Sequence, residues 1–246
     1  MSKSSEPLFE RTHILLGDQG IDRLINSHVF IAGIGGVGSF TAEALARLGI
    51  GTITLADHDT VSASNINRQL IALNSSLEQP KAQVMRDRII DINPDCTVNI
   101  IADFLTPDSI DDIITPEFDV VIDAIDSMSS KTALLATAWQ KNIPIFSSMG
   151  AGGKLDPSQI KTGDMMDTSI CKLAKQLRGH LRRRGVGRGI QTVYSVEPPM
   201  PALPPEAVGH GRPRAVNGTV SYMPSLFGLT LAGLVCNHII GDARRV

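Results

Sequence analysis

The residues with the clearest capacity for chemistry are the four glycines of FIAGIGGVGSF, residues 30–40, which separate an apolar run from a helix-like segment. Gly33, Gly35 and Gly38 fit the pattern G-x-G-x-x-G, and Asp57 follows at a distance suited to binding a ribose hydroxyl. Backbone N–H groups at a helix start bind phosphate, and glycine lets the ligand come close. The pattern is typical of NAD sites, but any nucleotide phosphate could be bound in this way, so the residues around Asp57 have to decide.

Two cations follow Asp57 in the chain. In ADHDTVSASNINRQL, Arg68 lies among amide side chains. Such a polar cluster is unusual in a hydrophobic core, because each buried polar group needs a hydrogen-bond partner. Lys81 follows Pro80 at the predicted start of the next helix and would direct a second cation to the same place. Cations near bound phosphates favour a site that polarises ATP over a site that transfers hydride to a nicotinamide.

Two carboxylates end another apolar strand, in DVVIDAIDS. The spacing of Asp123 and Asp126 lets one side chain face the end of the sheet and the other face the ligand. A carboxylate close to a triphosphate supplies the oxygen ligand that Mg²⁺ prefers. We therefore expect both ATP and Mg²⁺ at this site.

Strands and helices alternate through the first part of the chain, from HVFIAG to IPIFSSMG. Such alternation predicts a parallel sheet with right-handed crossovers, whose ligands gather at the carboxyl ends of the strands. After Gly152 the alternation ends. A basic helix and one more strand, IQTVYSVEPP, are followed by a Pro- and Gly-rich stretch at residues 198–213 that is predicted to be irregular.

The expected fold is α/β: a Rossmann-like, mostly parallel sheet flanked by helices, to which the C-terminal part adds antiparallel strands and a basic helix. A chain of 246 residues with 42% hydrophobic and 20% charged residues has an ordinary globular composition and can bury a large core. We expect a single domain over residues 1–246. Its nucleotide-binding core would span residues 9–152, and an extension for substrate binding and dimer formation would span residues 153–246.

The apolar stretch at residues 223–241 is nearly as long as the roughly 20 residues of a membrane-spanning helix. Pro224 suits a first helical turn, and Asn237 and His238 are unfavourable in lipid. A buried C-terminal helix is therefore favoured, while association of this helix with the inner membrane face is left open. The separated cysteines and the lack of an apolar h-region at the N-terminus indicate a cytoplasmic protein.

A basic, acid-free run follows the sheet region, with no Asp or Glu between Asp167 and Glu197. A charge run is usually a solvated face. In a chain of net charge -2, however, a basic run beside an ATP site favours a polyanion, because each phosphate contact releases counterions. Arginine and glycine in LRRRGVGRG suit an RNA backbone, and not DNA, bound without reading its sequence. The residues expected to bind its phosphates are Lys172, Lys175, Arg182, Arg183, Arg184 and Arg188.

Together, GIGGVGS, DHDTVSASNINRQ, QPKAQ and DAIDS resemble, in this order, motifs of the adenylating enzymes of the ThiF, MoeB and ubiquitin-activating superfamily. The resemblance implies that Arg68 and Lys81 act on the ATP phosphates in catalysis and that Asp126 acts in catalysis by binding Mg²⁺. The leading segment FERTHILLGDQGIDRL also resembles the family, which implies a homodimer in which Arg11 reaches the partner subunit's nucleotide. The residues that the resemblance assigns to ATP binding are Gly33, Gly35, Gly36, Gly38, Asp57, Asp59, Asn65, Gln69 and Arg11.

The chain lacks the two C-x-x-C pairs with which bacterial sulfur-carrier activators usually bind a structural zinc, so a zinc tetrathiolate is excluded. The basic run, MGAGGKLDP and NGTVSYMPSLFGLTLAG instead resemble a tRNA-modifying subgroup of the family. This resemblance implies ATP-dependent dehydration of N6-threonylcarbamoyladenosine beside the anticodon: the carboxylate is adenylated, and a nitrogen of the same group closes a ring and expels AMP. Such an intramolecular attack needs no enzyme thiol.

Three other functions stay open at this point. An activator of a sulfur-carrier or ubiquitin-like protein would adenylate that protein's C-terminus, with a possible sulfur-transfer partner such as a cysteine desulfurase system. Cys171, which precedes Lys172, would be its candidate thiol, and Cys236 is unplaced. A nicotinamide enzyme would bind NAD and not ATP. A non-enzymatic RNA-binding scaffold would bind RNA without releasing pyrophosphate.

Overall fold

A computed structural model of the protein describes residues 7–201, 203–206 and 214–243, and a seven-stranded sheet lies at its centre. The strands are β1 (His28–Ala32), β2 (Thr52–Ala56), β3 (Thr97–Ile101), β4 (Val120–Asp123), β5 (Ile145–Ser148), β6 (Ile160–Asp164) and β7 (Ile190–Ser195). Their order across the sheet is β3-β2-β1-β4-β5-β7-β6. Neighbouring strands are parallel except β6 and β7, which pair antiparallel. The predicted α/β fold with its mostly parallel sheet is confirmed.

Helices cover both faces of this sheet. They are α1 (Glu10–Ile25), α2 (Gly38–Leu48), α3 (Lys81–Ile92), α4 (Ser109–Ile113), α5 (Met128–Gln140), α6 (Lys172–Arg183) and α7 (Tyr222–Ile240). Successive residues of a strand point to opposite faces, and β1 shows this directly. Ile31 belongs to a core cluster with residues of α2, α3 and α7, whereas Phe30 belongs to a second cluster with residues of α4, α5 and α6.

The order of the strands places the ligand crevice. From β1 the chain moves to β2 and β3 on one side, and it then returns to β4 on the other side of β1. In open α/β sheets, ligands bind at such a switch point, outside the carboxyl ends of the strands. The loops that follow β1, β2 and β4 therefore meet at one place, and these loops carry the glycines, the cations and the carboxylates singled out above.

The apolar C-terminal stretch forms α7, so the prediction of a helix is confirmed. Its buried face, which includes Phe227, Leu231 and Val235, shares a core cluster with Leu45 of α2. Among the described residues, α7 is the helix that could cross a membrane by length and composition, with a mean hydropathy of 1.5 over a window of which 44% is buried. The packing against α2 identifies α7 as part of the protein core.

The Pro- and Gly-rich stretch contains one further strand. Leu203–Glu206 (β8) pairs antiparallel with Arg214–Val216 (β9) in a separate two-stranded sheet. The prediction of irregular chain is therefore wrong for β8, while residues 202 and 207–213 lie outside the described residues. Proline lacks a ladder donor but is tolerated in edge strands, and both strands of a two-stranded sheet are edges.

Candidate nucleotide-binding and active site

A cleft of about 1150 Å³ opens at the carboxyl ends of the central strands. Its floor is the glycine loop after β1, and its walls are the polar loop after β2 and the ends of β4 and β5. The sequence-predicted residues that line it are Gly33, Gly35, Gly36, Asp57, Asp59, Asn65, Arg68, Gln69, Lys81 and Asp126. The fold thus brings together residues that lie up to almost a hundred positions apart in the chain, at the place where a ligand is expected.

The glycines divide into two kinds. Gly33 has a φ of 87°, and a Cβ atom there would lie 2.8 Å from the carbonyl oxygen of Ala124. A Cβ at Gly38 would lie 1.8 Å from the Gly33 carbonyl oxygen, so only glycine allows α2 to begin so close to the turn. Gly38 does not line the cleft and shapes the loop instead, whereas Gly35 and Gly36 present backbone to the cleft.

Asp57 lies at the end of β2 and holds the glycine loop in place. Its Oδ2 accepts a hydrogen bond from the Ile34 N–H at 2.6 Å, and its Oδ1 accepts one from the Asp59 N–H at 2.9 Å. Asp57 also lines the cleft one strand away from the glycine loop. This position agrees with the ribose role expected from the sequence, and that role stays a prediction.

Lys81 begins α3 and forms an ion pair with Asp59. Its Nζ lies 2.8 Å from the Asp59 Oδ2, and the side chain of Lys81 is 7% exposed against 52% for Asp59. The Lys81 N–H also donates to the Asp59 carbonyl at 2.9 Å, which fixes the start of α3 beside the loop. Asp59, expected from the sequence to bind the nucleotide, is therefore also the partner of the predicted catalytic lysine.

Arg68 and the amides around it line the same cleft as this pair. The guanidinium of Arg68 donates to the Ser64 carbonyl at 2.8 Å and to the Asn67 Oδ1 at 2.9 Å, and both acceptors are neutral. These contacts orient the side chain without neutralising its charge, so it can still attract an anion. Asn65 is buried and its Oδ1 accepts the Ser62 N–H at 3.1 Å, which orders the same loop.

Gln69 gives the most direct indication that a ligand belongs in the cleft. The residue is 8% exposed, and its Oε1 is the one buried side-chain oxygen or nitrogen without a hydrogen-bond partner among the described residues. Leaving such an atom unpaired costs free energy, so buried polar atoms almost always have a partner. Because Gln69 lines the cleft beside Gly35, a bound molecule or a water can supply the missing donor.

The two carboxylates at and after the end of β4 have different surroundings. Asp126 is exposed and lines the cleft, whereas Asp123 is fully buried and paired with Lys131. Complete burial raises the pKa of the Asp123 carboxyl above its usual value, and the Lys131 ammonium opposes that shift. Only Asp126 is therefore placed to meet a ligand.

A second group of possible metal ligands lies on the other wall. Asp57, His58 and Asp59 bring their ligand atoms within 4.8 Å of one another. The Asp59 carboxylate is already paired with the Lys81 ammonium, and the Asp57 carboxylate accepts hydrogen bonds from two backbone N–H groups. A cation on this wall would be repelled by Lys81. Asp57 and Asp59 are therefore already engaged within the protein, by backbone N–H groups and by Lys81.

An aromatic pair that the sequence did not single out lies at the outer end of the cleft. The rings of His58 and Phe104 meet edge to face with centroids 4.8 Å apart, and Phe104 is 49% exposed. Both residues line the cleft. Phe104 lies shortly after β3, in IIADFL. Its position after the end of a strand is the feature of the sequence that could have identified it as a cleft residue.

The predicted substrate-binding cations lie outside the cleft, on and after α6. Lys172, Lys175, Arg182 and Arg183 are exposed, and their helical spacing places them opposite the buried Leu177. Arg184 and Arg188, beyond the helix, are exposed as well. Leu173, in the first turn of α6, lines the cleft, so the basic surface begins at the cleft edge.

Folding changes the charge environment of Arg188. Its guanidinium donates to both oxygens of Asp167, each at 2.6 Å, although 21 residues separate the two in the chain. Although the sequence run contains no acid, the fold therefore places an acid beside Arg188. The predicted phosphate contact is weakest at this position, because an anion there has to compete with Asp167.

Arg11 and the cysteines lie away from the cleft. Arg11 is exposed on α1 and does not line the cleft of this subunit. Cys171 is buried immediately before α6. Burial raises the pKa of the Cys96 thiol to about 11, so this thiol is protonated at neutral pH and is a poor nucleophile.

The cleft combines a glycine loop at the switch point of the sheet with two cations and a carboxylate. These features define the class of the protein: a nucleotide-binding α/β protein that can act on phosphates. The chain belongs to the ThiF family, which matches residues 9–244. It is 37% identical over 241 residues, 95% of each chain, to the tRNA threonylcarbamoyladenosine dehydratase of Bacillus subtilis. It is 42% identical over 196 residues to the Escherichia coli protein of that name, covering 77% of this chain and 73% of that protein.

The fold is also similar to a solved structure. The crystal structure of E. coli tRNA N6-threonylcarbamoyladenosine dehydratase in complex with ATP matches with a TM-score of 0.83 and 37% identity, covering 92% of this chain and 91% of that chain. The resemblance to the adenylating superfamily and to its tRNA-modifying subgroup, inferred from the motifs, is confirmed.

Proposed function

We propose that this protein is an ATP-dependent enzyme that dehydrates N6-threonylcarbamoyladenosine in tRNA. The observation that carries the proposal is the extent of the similarity: the dehydratase of B. subtilis aligns with 95% of this chain, from the glycine loop to the C-terminal part. An activator of sulfur-carrier proteins would share the nucleotide cleft but would have no need of the basic surface on α6. The dehydratase is therefore favoured over that alternative.

The order of the strands suggests how ATP lies in the cleft. The phosphates lie on the glycine loop after β1, within residues 33–36, and the ribose lies by Asp57 after β2. The base then lies beyond β2, next to Phe104 after β3 and its neighbour His58. Apolar and aromatic side chains bind the face of a base well, which gives the exposed Phe104 ring a function.

Phe104→Ala is expected to weaken ATP binding about tenfold, because stacking a base on an aromatic ring contributes roughly 1–3 kcal/mol. The turnover number at saturating ATP should change little, since the base is remote from the reacting phosphate. Titration calorimetry with ATP measures the effect. Phe104→Tyr keeps the ring and should bind normally, and Leu73→Ala, at an exposed leucine that does not line the cleft, is the matched control. Unchanged affinity in Phe104→Ala would place the base elsewhere.

The chemistry proceeds in two steps. A carboxylate oxygen of the threonylcarbamoyl group attacks the α-phosphorus of ATP, the bond to pyrophosphate breaks, and an acyl adenylate forms. Arg68 and Lys81 stabilise the negative charge that moves onto pyrophosphate. A nitrogen of the same group then attacks the acyl carbon and loses its proton, while AMP departs with the former carboxylate oxygen. The nucleoside thereby loses one water, whose oxygen leaves in AMP.

Mg²⁺ fits the oxygen donor at Asp126, which lines the same cleft as Arg68 and Lys81. When bound, the ion would neutralise phosphate charge and make pyrophosphate a better leaving group. The Asp126 side chain lies just beyond the C-terminal end of β4, close to the glycine loop. We therefore propose that Asp126 acts in catalysis by binding the metal and not by transferring a proton.

The basic surface, defined as Lys172, Lys175, Arg182, Arg183, Arg184 and Arg188, holds the tRNA backbone while the modified base enters the cleft. Its position at the cleft edge, marked by Leu173, supports this assignment. Phosphate contacts of this kind position a nucleic acid without reading its sequence. Choice of the substrate then depends on the modified base in the cleft.

The direct test is a mass measurement. The protein is incubated with ATP, Mg²⁺ and tRNA that carries N6-threonylcarbamoyladenosine, and the nucleosides are then analysed by mass spectrometry. Loss of one water, with one AMP and one pyrophosphate per product and no reaction without ATP, is expected. An unchanged nucleoside together with adenylation of a small protein ending in Gly-Gly would favour the sulfur-carrier alternative.

A homodimer completes the site in this proposal. Ile14 and Leu15 on α1 are 52% and 70% exposed, which is unusual for large apolar side chains and suits a subunit contact. Arg11 lies one turn before Ile14 on the same helix. Packing of this part of α1 against the partner would bring Arg11 to the partner's phosphates and make each active site shared.

Shared sites predict complementation. Arg11→Ala and Lys81→Ala should each inactivate the homodimer, because each removes one cation from both sites. A hybrid of the two variants contains one intact site and should recover up to half of the wild-type turnover. Dehydration assays on hybrids purified with two different affinity tags measure this recovery. Inactive hybrids would rule out the contribution of Arg11 to the partner's site.

The remaining assignments follow from the same site. We propose a cytoplasmic protein that folds as one adenylating domain, because α7 packs on α2 and joins the two parts of the chain. Cyclisation needs no enzyme thiol, so a cysteine desulfurase system would be a separate partner. If such a partner transfers sulfur to this chain, Cys171 or Cys236 would be the acceptor, since the Cys96 thiol stays protonated.

A further inference from the structure

A buried ion pair lies directly beneath the cleft and has no part in the function described so far. Asp123 is the last residue of β4, and Lys131 lies in the first turns of α5. The Lys131 Nζ is 2.6 Å from the Asp123 Oδ2, and both side chains are 0% exposed. Two charges removed completely from water need a reason, because their desolvation is costly.

The polar groups of this pair connect the ends of two strands. The Lys131 ammonium also donates to the Ile125 carbonyl at 3.1 Å and to the Ser148 carbonyl at 2.8 Å, so all three of its N–H donors are used. The Asp123 carboxylate accepts hydrogen bonds from the Ser147 hydroxyl at 2.6 Å and from the Ile125 N–H at 3.3 Å. One lysine therefore ties the loop after β4 to the end of β5.

These contacts converge on the backbone that forms the cleft. Ile125 immediately precedes Asp126, and Ser148 begins the wall formed by residues 148–152. The neighbouring Ala124 donates its N–H to the Ala32 carbonyl at 2.8 Å, which links the same loop to the start of the glycine turn. The ion pair thus fixes Asp126 relative to the wall at residues 148–152, and the Ala124 backbone bond ties the same loop to the glycine turn.

Stability alone does not account for the pair. Replacing a buried ion pair by neutral side chains of similar volume is often neutral or stabilising. Neutral side chains of that kind could not, however, hold the Ile125 and Ser148 carbonyls toward one point. What the pair supplies beyond stability is a fixed geometry of the two cleft walls.

We propose that Asp123 and Lys131 are positioning residues for the adenylation step, which hold Asp126 and the wall at residues 148–152 in the geometry that the transition state requires. The inference rests on the proposed function, because it assigns Asp126 to the reaction. Neither residue touches the substrate, and both act through the backbone carbonyls that Lys131 binds. Small displacements of reacting groups have large effects on rate, about a hundredfold for 1 Å.

The test uses the double variant Asp123→Asn/Lys131→Met, which removes both buried charges and so avoids leaving either one unpaired. The full-length variant should fold and bind ATP within about threefold of wild type, while kcat for dehydration falls at least about tenfold. Amide hydrogen exchange should accelerate at residues 124–127 and 148–152 and stay unchanged in β1, β2 and α7. The matched control is Leu135→Ala, which destabilises the buried face of the same helix without touching the network.

A second variant covers the case in which the double variant does not fold. Ser147→Ala removes only the hydrogen bond to the Asp123 Oδ2 and leaves both charges paired. It should lower kcat about threefold or more, with KM for ATP unchanged, and should accelerate exchange in the same two segments. Wild-type kcat with wild-type exchange in Ser147→Ala would overturn the inference, as would a folded double variant with normal kcat. A wild-type protein that does not dehydrate modified tRNA would instead refute the proposed function.

Discussion

Replacing Lys81 by alanine is expected to lower kcat for ATP-dependent dehydration by about a hundredfold or more, while the protein still folds and binds ATP. A preorganised cation that stabilises charge in the transition state typically contributes this much. Lys81 is suited to that role because its side chain is 7% exposed and its ammonium is held 2.8 Å from the Asp59 carboxylate. The low exposure strengthens its attraction to phosphate relative to a cation in water.

The stability of this variant should differ little from that of the wild type. Asp59 is 52% exposed, so water can solvate its carboxylate when Lys81 is removed. Single-turnover formation of AMP measures the chemical step, and thermal unfolding measures the stability. A large fall in melting temperature with normal AMP formation would show that Lys81 only holds α3 to the loop.

Two further substitutions make the experiment specific. Lys141→Ala removes another lysine that pairs with an aspartate, Asp111, at 3.1 Å and away from the cleft. It should leave kcat unchanged. Arg68→Lys keeps a positive charge but loses the planar fork that binds two phosphate oxygens, and we expect it to reduce kcat as well. Equal losses in Lys141→Ala and Lys81→Ala would indicate a general effect of lost charge.

The central fold could be predicted because its signals are local. Most of the strands from β1 to β5 contain a short apolar run that ends near a glycine or a polar residue, and α2, α3 and α5 were predicted as helices from the segments between them. The short α4 was not predicted. The carboxyl ends of parallel strands meet at one edge, so the residues after β1, β2 and β4 could be placed together without coordinates. The cleft contains Gly35, Asp57, Lys81 and Asp126 for this reason.

The parts that could not be predicted depend on contacts between distant residues. Nothing in the sequence of β7 shows that it is inserted between β5 and β6, because strand order is decided by packing. The burial of Asp123 depends on Lys131 reaching it from a helix. The exposure of Phe104 follows a strand, β3, that lies at the edge of the sheet, and the sequence does not show which strand is the edge. The pairing β8–β9 joins two short segments across a stretch rich in turn residues.

Charge patterns show the same limit. The run from Asp167 to Glu197 contains no acid in sequence, and this correctly draws attention to α6. The chain nevertheless folds back so that Asp167 binds Arg188. A count of charges along the chain therefore overestimates the free positive charge at Arg188. It remains a good guide at Arg182 to Arg184, which lie where α6 ends and are exposed.

Reversing the charge at Arg182, Arg183 and Arg184 to glutamate is expected to lower kcat/KM for tRNA by about a hundredfold or more at low salt, with ATP binding nearly unchanged. The loss should appear in KM, because these exposed residues lie outside the cleft and bind phosphate uniformly in all states of the reaction. The slope of log affinity against log salt should fall by about one for each phosphate contact removed.

Single substitutions separate contact from net charge. Arg183→Glu should weaken tRNA binding and reduce the salt slope, whereas Arg86→Glu, at an exposed arginine on α3, changes net charge equally and should have a much smaller effect. Arg188→Gln should weaken binding less than Arg183→Gln, because Asp167 already neutralises Arg188. Filter binding of modified tRNA over a series of salt concentrations gives all of these slopes. If the triple variant and the wild type have the same slope, α6 is a solvated face and the tRNA backbone is bound elsewhere on the protein.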